Sequence, residues 1–421
     1  MLNESNVNYY AKAFPAVFTV AKGEIVTDTT GKDYIDFFCG AGTMNYGHNN
    51  PALKAAVHSF LDNDHILHCL DMDSKMKELF LTAFQETILE PRGLDYKVQF
   101  PGPTGTNAVE AAVKLARLVT KRKKIIAFTQ SFHGMTSMSM SLSGCREEQH
   151  PGNTLHDVTF FPFDQFGDGA FDTLRYLEAM IKTSGSGVTL PAAIILETIQ
   201  AEGGVNIAGV AWLKALRAFT AENGILLIVD DIQVGCGRTG SFFSFERAGI
   251  IPDIVLLSKS ISGFGLPLSV ILMKPSLDHW KPGEHNGTFR ANNLSLCTAH
   301  AALHYWKDDG LLNEIKEKEE MIGLTLTQLV TQCEAVKGVR GMGMIWGVEF
   351  RSGSEARAVA SGLFRDGLLI EACGMDDQVL KILPPLTISK DNLRTGLAMM
   401  ERRIREPEYA GATRLMNETA S

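Results

Sequence analysis

The feature that most constrains the fold is a series of short, almost uninterrupted apolar runs that alternate with helix-like stretches. The clearest of these runs cover residues 124–128, 192–197, 225–230, 253–258 and 268–273. Strands that are buried on both faces need such continuous apolarity. Between the runs, stretches such as 107–119 and 211–224 have the apolar spacing of amphipathic helices. The pattern predicts an α/β fold with a mostly parallel sheet covered by helices.

The chain has 421 residues, which is more than one ordinary domain needs. After about residue 310 the pattern changes to a long polar helix (312–334) and a glycine-punctuated strand pattern (338–350). A helix over 355–366, two short strands and a helix near 390–403 follow. We therefore predict an N-terminal segment, 1–52, that packs with a smaller domain. A large domain is predicted for 53–310, and a small α+β domain for 311–421.

Composition restricts the possible partners. The net charge of −8 argues against nucleic acid as the main partner, and no apolar run reaches the length of a membrane span. Seven dispersed cysteines without CxxC spacing predict reduced thiols and no metal site. The first residues also lack the pattern of a secretion signal. We expect a cytoplasmic protein that acts on small molecules.

Candidate site residues follow the predicted strands, because parallel sheets bind ligands beyond the carboxyl ends of their strands. Asp230 ends one apolar run and Lys259 follows the next, while Phe132 comes shortly after an earlier run. Gly105 and Thr106 begin a predicted helix, whose free amides favour a phosphate. Each signal also has a simpler explanation: a strand-end lysine often extends to solvent, and Gly-Thr is an ordinary helix cap.

Together these groups match the requirements of pyridoxal 5′-phosphate. The cofactor needs a phosphate cradle, an aromatic neighbour, a carboxylate that keeps its ring nitrogen protonated, and a lysine that binds its aldehyde and transfers a proton. The stretch GCGRTG (235–240) matches a dinucleotide fingerprint. The strand ends before DIQV, however, and no clear helix follows, so we interpret this stretch as a loop.

Segments along nearly the whole chain resemble the class III (ω-amino acid) aminotransferases, which are fold type I enzymes dependent on pyridoxal phosphate. They are YGHNNP (46–51), GTNAVEAAVKLAR (105–117), FHG (132–134), ETIQAEGG (197–204), IVDDIQVGCGRTG (228–240), SKSISGFGLP (258–267) and GTFRANN (287–293). The resemblance implies a mostly parallel seven-stranded sheet in the large domain. It also implies a homodimer or a higher homo-oligomer with shared active sites.

The resemblance assigns roles to residues that bind the cofactor ring. Lys259 matches the lysine that forms a Schiff base with the cofactor aldehyde. Asp230 matches the carboxylate that pairs with the pyridine nitrogen, and Gln233 matches the residue bonded to the ring hydroxyl. Phe132 matches the aromatic residue stacked on the ring.

The phosphate and the substrate also have expected partners. Gly105 and Thr106 match the phosphate loop, and Thr288 matches a threonine that reaches the phosphate from the neighbouring subunit. Glu202 matches a gate glutamate that moves on and off an arginine in many members. Lys381 stands where that arginine is expected, so Arg290 becomes a candidate helper in carboxylate binding.

Within the family, stretches such as AGTMNYGHNNP and WKPGEHNGTFR resemble members that make L-2,4-diaminobutyrate. The expected reaction moves the ω-amino group between L-glutamate and L-aspartate 4-semialdehyde, with 2-oxoglutarate as the other product, as a step of ectoine biosynthesis. Other ω-amino donors, such as 4-aminobutyrate, ornithine or a siderophore precursor, remain alternatives. So do a 2,1-aminomutase, a racemase and a non-catalytic cofactor-binding regulator.

Overall fold

The structure is a computed structural model that describes Ser5 and residues 13–144, 157–167 and 169–405. Most of the first twelve residues of the predicted N-terminal segment and Cys145 lie outside the described residues. All ten candidate site residues lie within them.

The described strands form four sheets. In chain order the strands are β1 (Phe18–Lys22), β2 (Ile25–Asp28), β3 (Asp33–Asp36), β4 (Lys97–Gln99), β5 (Ile125–Phe128), β6 (Val158–Phe161), β7 (Ala193–Leu196), β8 (Ile199–Gln200), β9 (Asn206–Ile207), β10 (Leu226–Asp230), β11 (Ile254–Leu257), β12 (Val270–Met273), β13 (Val336–Met342), β14 (Ile345–Phe350), β15 (Leu368–Leu369), β16 (Glu371–Cys373) and β17 (Val379–Ile382). The largest sheet has the strand order β4-β12-β11-β10-β7-β5-β6.

The helices cover this sheet and build the C-terminal part. They are α1 (Pro51–Asp62), α2 (Lys75–Phe84), α3 (Gly105–Thr120), α4 (Ser137–Ser141), α5 (Thr173–Lys182), α6 (Val210–Glu222), α7 (Asn293–Ala302), α8 (Gly310–Gln332), α9 (Gly353–Asp366) and α10 (Lys390–Arg405). Short helical turns lie at Cys39–Gly42, Gln85–Leu89, Glu90–Arg92, Glu246–Ala248, Lys259–Ser262, Pro275–Leu277 and Leu303–Trp306. Across the described ranges, the structure contains no helix with the length and apolarity that crossing a membrane requires.

The central sheet confirms the predicted α/β fold. Strand β10 pairs in parallel with β7 and β11, and β5 pairs in parallel with β6 and β7. Strand β12 is antiparallel to both of its neighbours, β11 and β4. Every residue of β5, β7, β11 and β12 is buried, because helices cover both faces of the sheet. The apolar runs of the sequence therefore correspond to interior strands.

The C-terminal part contains more strands than the sequence pattern separated. The glycine-punctuated stretch 338–350 folds as an antiparallel hairpin, β13–β14, in which Gly343 turns with φ +54°. Three strands, rather than the predicted two, follow α9, and the first of them, β15, pairs in parallel with β3. The division into parts at residues 52 and 310 stays a proposal, which the β3–β15 pairing supports.

The GCGRTG stretch forms a loop after β10 that connects distant parts of the chain. Its Arg238 is completely buried and donates a hydrogen bond to the carbonyl of Met344 at 3.0 Å. The same guanidinium bonds the carbonyl of Pro384 and the side-chain oxygen of Asn45. A buried guanidinium is costly without such partners. The arginine of this motif therefore connects the N-terminal segment, the large sheet and the C-terminal part.

Candidate active site

An open cavity lies at the carboxyl edge of the central sheet, where the loops after β5, β7, β10 and β11 meet. It contains about 570 Å³ of space, part of which is open to solvent. Seven of the ten predicted site residues line it: Gly105, Thr106, Phe132, Glu202, Asp230, Gln233 and Lys259. The sequence analysis gave no role to four other lining residues, His133, Gly134, Glu197 and Ile232. Residues more than 150 positions apart therefore share one site.

Lys259 begins the short turn that follows β11, with left-handed backbone geometry at φ +49°. Its Nζ donates a hydrogen bond to the carbonyl oxygen of Ala41 at 2.9 Å. Burial lowers the pKa of the amine and the positive charge of Lys381 lowers it further, whereas the carboxylate of Glu202 acts in the opposite direction. A lowered pKa makes the neutral, nucleophilic amine more accessible at neutral pH.

The carbonyl that binds Lys259 belongs to an unusual turn. Residues 39–42 all have positive φ, between +53° and +85°. This geometry turns the Ala41 carbonyl toward the cavity, where it also accepts a hydrogen bond from Gln233 Nε2 at 2.8 Å. The two glycines of the turn are the only sequence signal for it, since they tolerate left-handed geometry. No sequence motif predicted this contact.

Asp230 ends β10 with its carboxylate buried against His133. The Nδ1 atom of His133 lies 2.7 Å from Asp230 Oδ2, and the amide of Ile232 donates to Oδ1 at 3.1 Å. Burial disfavours the charged imidazole, but the hydrogen bond and charge of Asp230 outweigh burial and raise the pKa of His133. His133 thus holds the carboxylate in a fixed orientation. In the sequence, the only indication of His133 was the position of the FHG motif after a predicted strand.

The next residue, Asp231, is equally buried but has different partners. The amide of Ser244 donates to Asp231 Oδ2 at 2.9 Å, and the hydroxyl of Ser244 bonds the other oxygen. Burial raises the pKa of Asp231 to about 7. Of the two adjacent aspartates, Asp230 is the one that lines the cavity.

Glu197 is a second buried carboxyl group beside Asp230 and His133. The amide of Phe132 donates a hydrogen bond to Glu197 Oε1 at 2.9 Å. Burial raises the pKa of Glu197 to about 8; the charge of His133 lowers it, and the charge of Asp230 raises it further. The group is therefore mainly protonated at neutral pH.

This raised pKa predicts a pH-dependent stability. Protonated Glu197 stabilises the fold fully below pH 4.5, its ordinary pKa, and this contribution is lost as the pH rises toward about 8. Glutamine mimics the protonated group, so Glu197→Gln should gain thermal stability relative to the parent protein between pH 5 and pH 8. Melting temperatures at several pH values measure this difference. Glu320→Gln, at an exposed position, is the control. If the melting temperatures of Glu197→Gln and of the parent protein change with pH in the same way, the assignment is contradicted.

Glu202 and Lys381 form an ion pair at the cavity wall. Glu202 Oε1 accepts hydrogen bonds from Lys381 Nζ at 2.6 Å and from Gln233 Nε2 at 3.0 Å. Lys381 is completely buried, and its Nζ also lies 2.8 Å from Glu371 Oε1. Burial alone raises the pKa of Glu202, but the charges of Lys381 and Lys259 outweigh it and lower the pKa to about 2. Glu202 and Lys381 were predicted site residues, whereas no sequence motif indicated Glu371.

The structure does not bring Thr288 or Arg290 to the cavity lining of a single chain. Thr288 is exposed, and its carbonyl accepts a hydrogen bond from the His68 ring at 2.9 Å. Arg290 Nε donates to Asn286 Oδ1 at 2.6 Å. Their predicted roles stay predictions.

The part of the cavity at the start of α3 is suited to an anion. Gly105 and Thr106 open α3, where the first amides of a helix have no intrahelical partner. A Cβ at Gly105 would lie 3.0 Å from Ile232 Cδ1, so the absence of a side chain keeps this end open. The Thr106 hydroxyl shares hydrogen bonds with the hydroxyls of Thr136 and Ser139. Backbone amides and hydroxyl groups together form a cradle with the polarity that a phosphate needs.

A family model described as aminotransferase class-III matches residues 7–404. The chain belongs to the class III aminotransferases. It is 51% identical over 404 residues to the diaminobutyrate–2-oxoglutarate transaminase of Halalkalibacterium halodurans, covering 96% of this chain and 95% of the relative. It is 50% identical over 407 residues to the Wolinella succinogenes transaminase of the same name, with coverage of 96% and 95%.

Solved structures support the fold. A transaminase from the marine bacterium Virgibacillus superposes with a TM-score of 0.84 at 22% identity, covering 96% of each chain. The ornithine aminotransferase of Toxoplasma gondii superposes with a TM-score of 0.81 at 25% identity, covering 95% of each chain. Together with the family match, these structures confirm the fold type I architecture.

The cofactor of this aminotransferase family is pyridoxal 5′-phosphate, and the residues of the cavity fit it. A helix N-terminus with a glycine-lined cradle lies at one end, at Gly105 and Thr106. The buried carboxylate of Asp230 and the amine of Lys259 line the same cavity. A phosphate, a protonated ring nitrogen and an aldehyde each require one of these groups.

Proposed function

We propose that this aminotransferase moves the ω-amino group between L-glutamate and L-aspartate 4-semialdehyde, with L-2,4-diaminobutyrate and 2-oxoglutarate as products. The observation that carries the chemistry is the Lys259 amine, which lines one cavity with Asp230 and the anion cradle. The substrates follow from about 50% identity, along nearly the whole chain, to transaminases named for diaminobutyrate and 2-oxoglutarate. As part of this proposal, the diaminobutyrate that the enzyme makes is used in ectoine biosynthesis.

Bound pyridoxal phosphate supplies an aldehyde that accepts the amino group and a ring that stores the electrons of a broken C–H bond. In our proposal, Lys259 binds the aldehyde between turnovers. Once freed by the substrate amine, the Nζ of Lys259 would accept the proton from the substrate carbon and would later deliver it to the reacting carbon of the bound group. The lowered pKa of this amine suits both tasks.

Asp230 has an electrostatic role in this proposal. Its carboxylate keeps the ring nitrogen protonated, and the contacts from His133 and Ile232 hold it in place before the substrate binds. Such preorganised charges stabilise a transition state without reorganisation. Phe132 would provide the stacking surface, and the side-chain oxygen of Gln233 would accept a hydrogen bond from the ring hydroxyl, because its Nε2 already donates to Ala41 and Glu202.

Gly105 and Thr106 bind the phosphate in this proposal through the first amides of α3. We further propose that two copies of the chain form a cytoplasmic homodimer. Thr288 then reaches the phosphate of the neighbouring active site. Its exposure in the single chain is compatible with such a contact.

Glu202 acts as a gate in this proposal. When it is paired with Lys381, it neutralises the charge of that lysine, which suits the approach of an ω-amino donor. When Glu202 moves away, Lys381 can bind the α-carboxylate of glutamate. A lysine does this as a point charge, without the bidentate geometry of an arginine.

The absorption spectrum of the purified holoenzyme tests the proposal. The visible band of the bound cofactor should disappear when L-2,4-diaminobutyrate is added and return when L-aspartate 4-semialdehyde or 2-oxoglutarate follows. Glutamate should replace diaminobutyrate as the donor, since the reaction is a double displacement. A band that responds to 4-aminobutyrate or ornithine but not to diaminobutyrate would retain the chemistry and refute the substrate.

A further inference from the structure

The loop that carries Glu202 is held by an arginine from the C-terminal part of the chain. Glu202 lies in residues 201–205, which join β8 to β9 and which we call the gate loop. Arg340, on β13, donates from Nε to the carbonyl of Gly204 at 2.8 Å and to the carbonyl of Val205 at 3.2 Å. Its Nη2 bonds the Gly204 carbonyl as well. One guanidinium therefore binds two consecutive carbonyls of the gate loop.

The gate loop needs such a partner because its backbone is strained. Gly204 has φ +112° and Val205 has φ +59°. A β-branched residue is a rare occupant of the left-handed region, and strain of this kind persists only where the surroundings enforce it. The Val205 side chain is completely buried in a cluster with Ile199 and Ile345. Packing thus fixes the side chain, while Arg340 fixes the carbonyls.

Arg340 is in turn held by Glu349 of the neighbouring strand. Its Nη1 bonds Glu349 Oε2 across the β13–β14 hairpin. Lys337, on the same strand as Arg340, bonds the other oxygen of Glu349 at 2.7 Å, but its side chain is 65% exposed. Among the described residues, Lys337 bonds Glu349 and no residue of the gate loop. The two cations therefore share one carboxylate, and Arg340 is the one that also holds the gate loop.

The position of the gate loop decides whether Glu202 can reach Lys381. Lys381 is completely buried in β17, with its Nζ 2.6 Å from Glu202 Oε1. The amide of Gly374 donates to the Glu202 carbonyl at 2.9 Å, and Arg340 fixes the carbonyls that follow. A buried ion pair is favourable only with good geometry, so the paired state of the gate depends on this backbone position. When Glu202 has moved away from Lys381, no ion pair depends on it.

We propose that Arg340 is a positioning residue that holds the gate loop where Glu202 pairs with Lys381, and that it thereby favours ω-amino donors over glutamate. This inference rests on the gate of the proposed function. Arg340 shifts the balance between the two states of the gate because it stabilises one of them more than the other.

The test follows the visible band of the holoenzyme with each donor separately. In Arg340→Met, the apparent second-order rate constant for loss of the band with L-2,4-diaminobutyrate should fall about tenfold, mainly through a higher half-saturating concentration. The rate constant with L-glutamate should stay within about threefold of the parent value, since this donor uses the gate with Glu202 moved away. Both donors react with the same preparation, so a loss of folded protein lowers both signals equally and leaves the ratio unchanged.

Two further variants separate the contact with the gate loop from the charge beside Glu349. Arg340→Lys keeps the charge but not the fork of donors, so its ratio should lie between those of the parent and Arg340→Met. Lys337→Met removes the other cation from Glu349 and should keep the parental ratio. Equal losses with both donors in Arg340→Met, or the same change of ratio in Lys337→Met, would refute the positioning role.

The proposed substrate can fail separately from this inference. If the parent band responds to 4-aminobutyrate or ornithine but not to diaminobutyrate, the proposed substrate is wrong. The ratio of that donor to glutamate then tests Arg340 in the same way. A ratio that Arg340→Met leaves at the parental value would refute the inference with either donor.

Discussion

Lys259→Ala is expected to reduce turnover by about 10⁴-fold, because the variant loses the group that moves the proton and binds the aldehyde. Lys381 is the other buried lysine of this region, and it is a poor substitute. Burial disfavours the charged form of Lys381, but the charges of Glu202 and Glu371 outweigh burial and raise its pKa. Lys381 therefore stays protonated and paired with these carboxylates. For Lys259, burial and the charge of Lys381 together outweigh the same two carboxylates, and its pKa is lowered.

Borohydride reduction of the holoenzyme, followed by peptide mass spectrometry, distinguishes the two lysines. The pyridoxyl mass should appear on the peptide that contains Lys259 and be absent from the peptide that contains Lys381. In Lys259→Ala neither peptide should carry it. A label on Lys381 in the parent protein would refute the assignment.

Chemical rescue separates proton transfer from folding. Added ethylamine should restore part of the activity of Lys259→Ala, because a small amine can occupy the vacated space and accept the proton. Lys259→Arg keeps a positive charge but cannot act as a base, since a guanidinium remains protonated. It should stay inactive with or without ethylamine. An active Lys259→Arg variant would contradict the proton-transfer role.

The sequence was sufficient to predict the main features of the large sheet. Continuous apolar runs identified interior strands, and the rule that ligands bind at the carboxyl edge placed Asp230 and Lys259 at one site. The position of β12, antiparallel between β11 and β4, was not predicted, because an apolar run does not indicate its direction. The stretch 338–350 contains several glycines, and the sequence does not indicate which one forms the turn of the hairpin.

Contacts between distant residues were beyond the sequence pattern. The Ala41 carbonyl reaches Lys259 across 218 positions through a left-handed turn that only two glycines suggested. Glu371 carries no motif, and its pairing with Lys381 depends on the register of β16 against β17. Both contacts require the tertiary fold, whereas strand ends and helix starts are local features.

The adjacent aspartates Asp230 and Asp231 illustrate the same limit, since the sequence places both at the end of β10. The structure separates them, because Asp230 bonds His133 at the cavity and Asp231 bonds Ser244 away from it.

Asp230→Asn removes the charge opposite the ring nitrogen and should lower kcat by about 10²–10³-fold. Asp231→Asn should leave kcat within a few-fold of the parent value, although it changes a buried group and can lower the melting temperature.

A cofactor analogue with a methyl group on the pyridine nitrogen sharpens this comparison. Its ring keeps a positive charge without a carboxylate partner, so it should restore part of the activity of Asp230→Asn and add nothing to Asp231→Asn. Loss of Asp230 also removes the bond that raises the pKa of His133, so the NMR titration of this imidazole should shift to lower pH. Equal losses of kcat in the two variants, without rescue, would mean that Asp230 has a structural role rather than an electrostatic one.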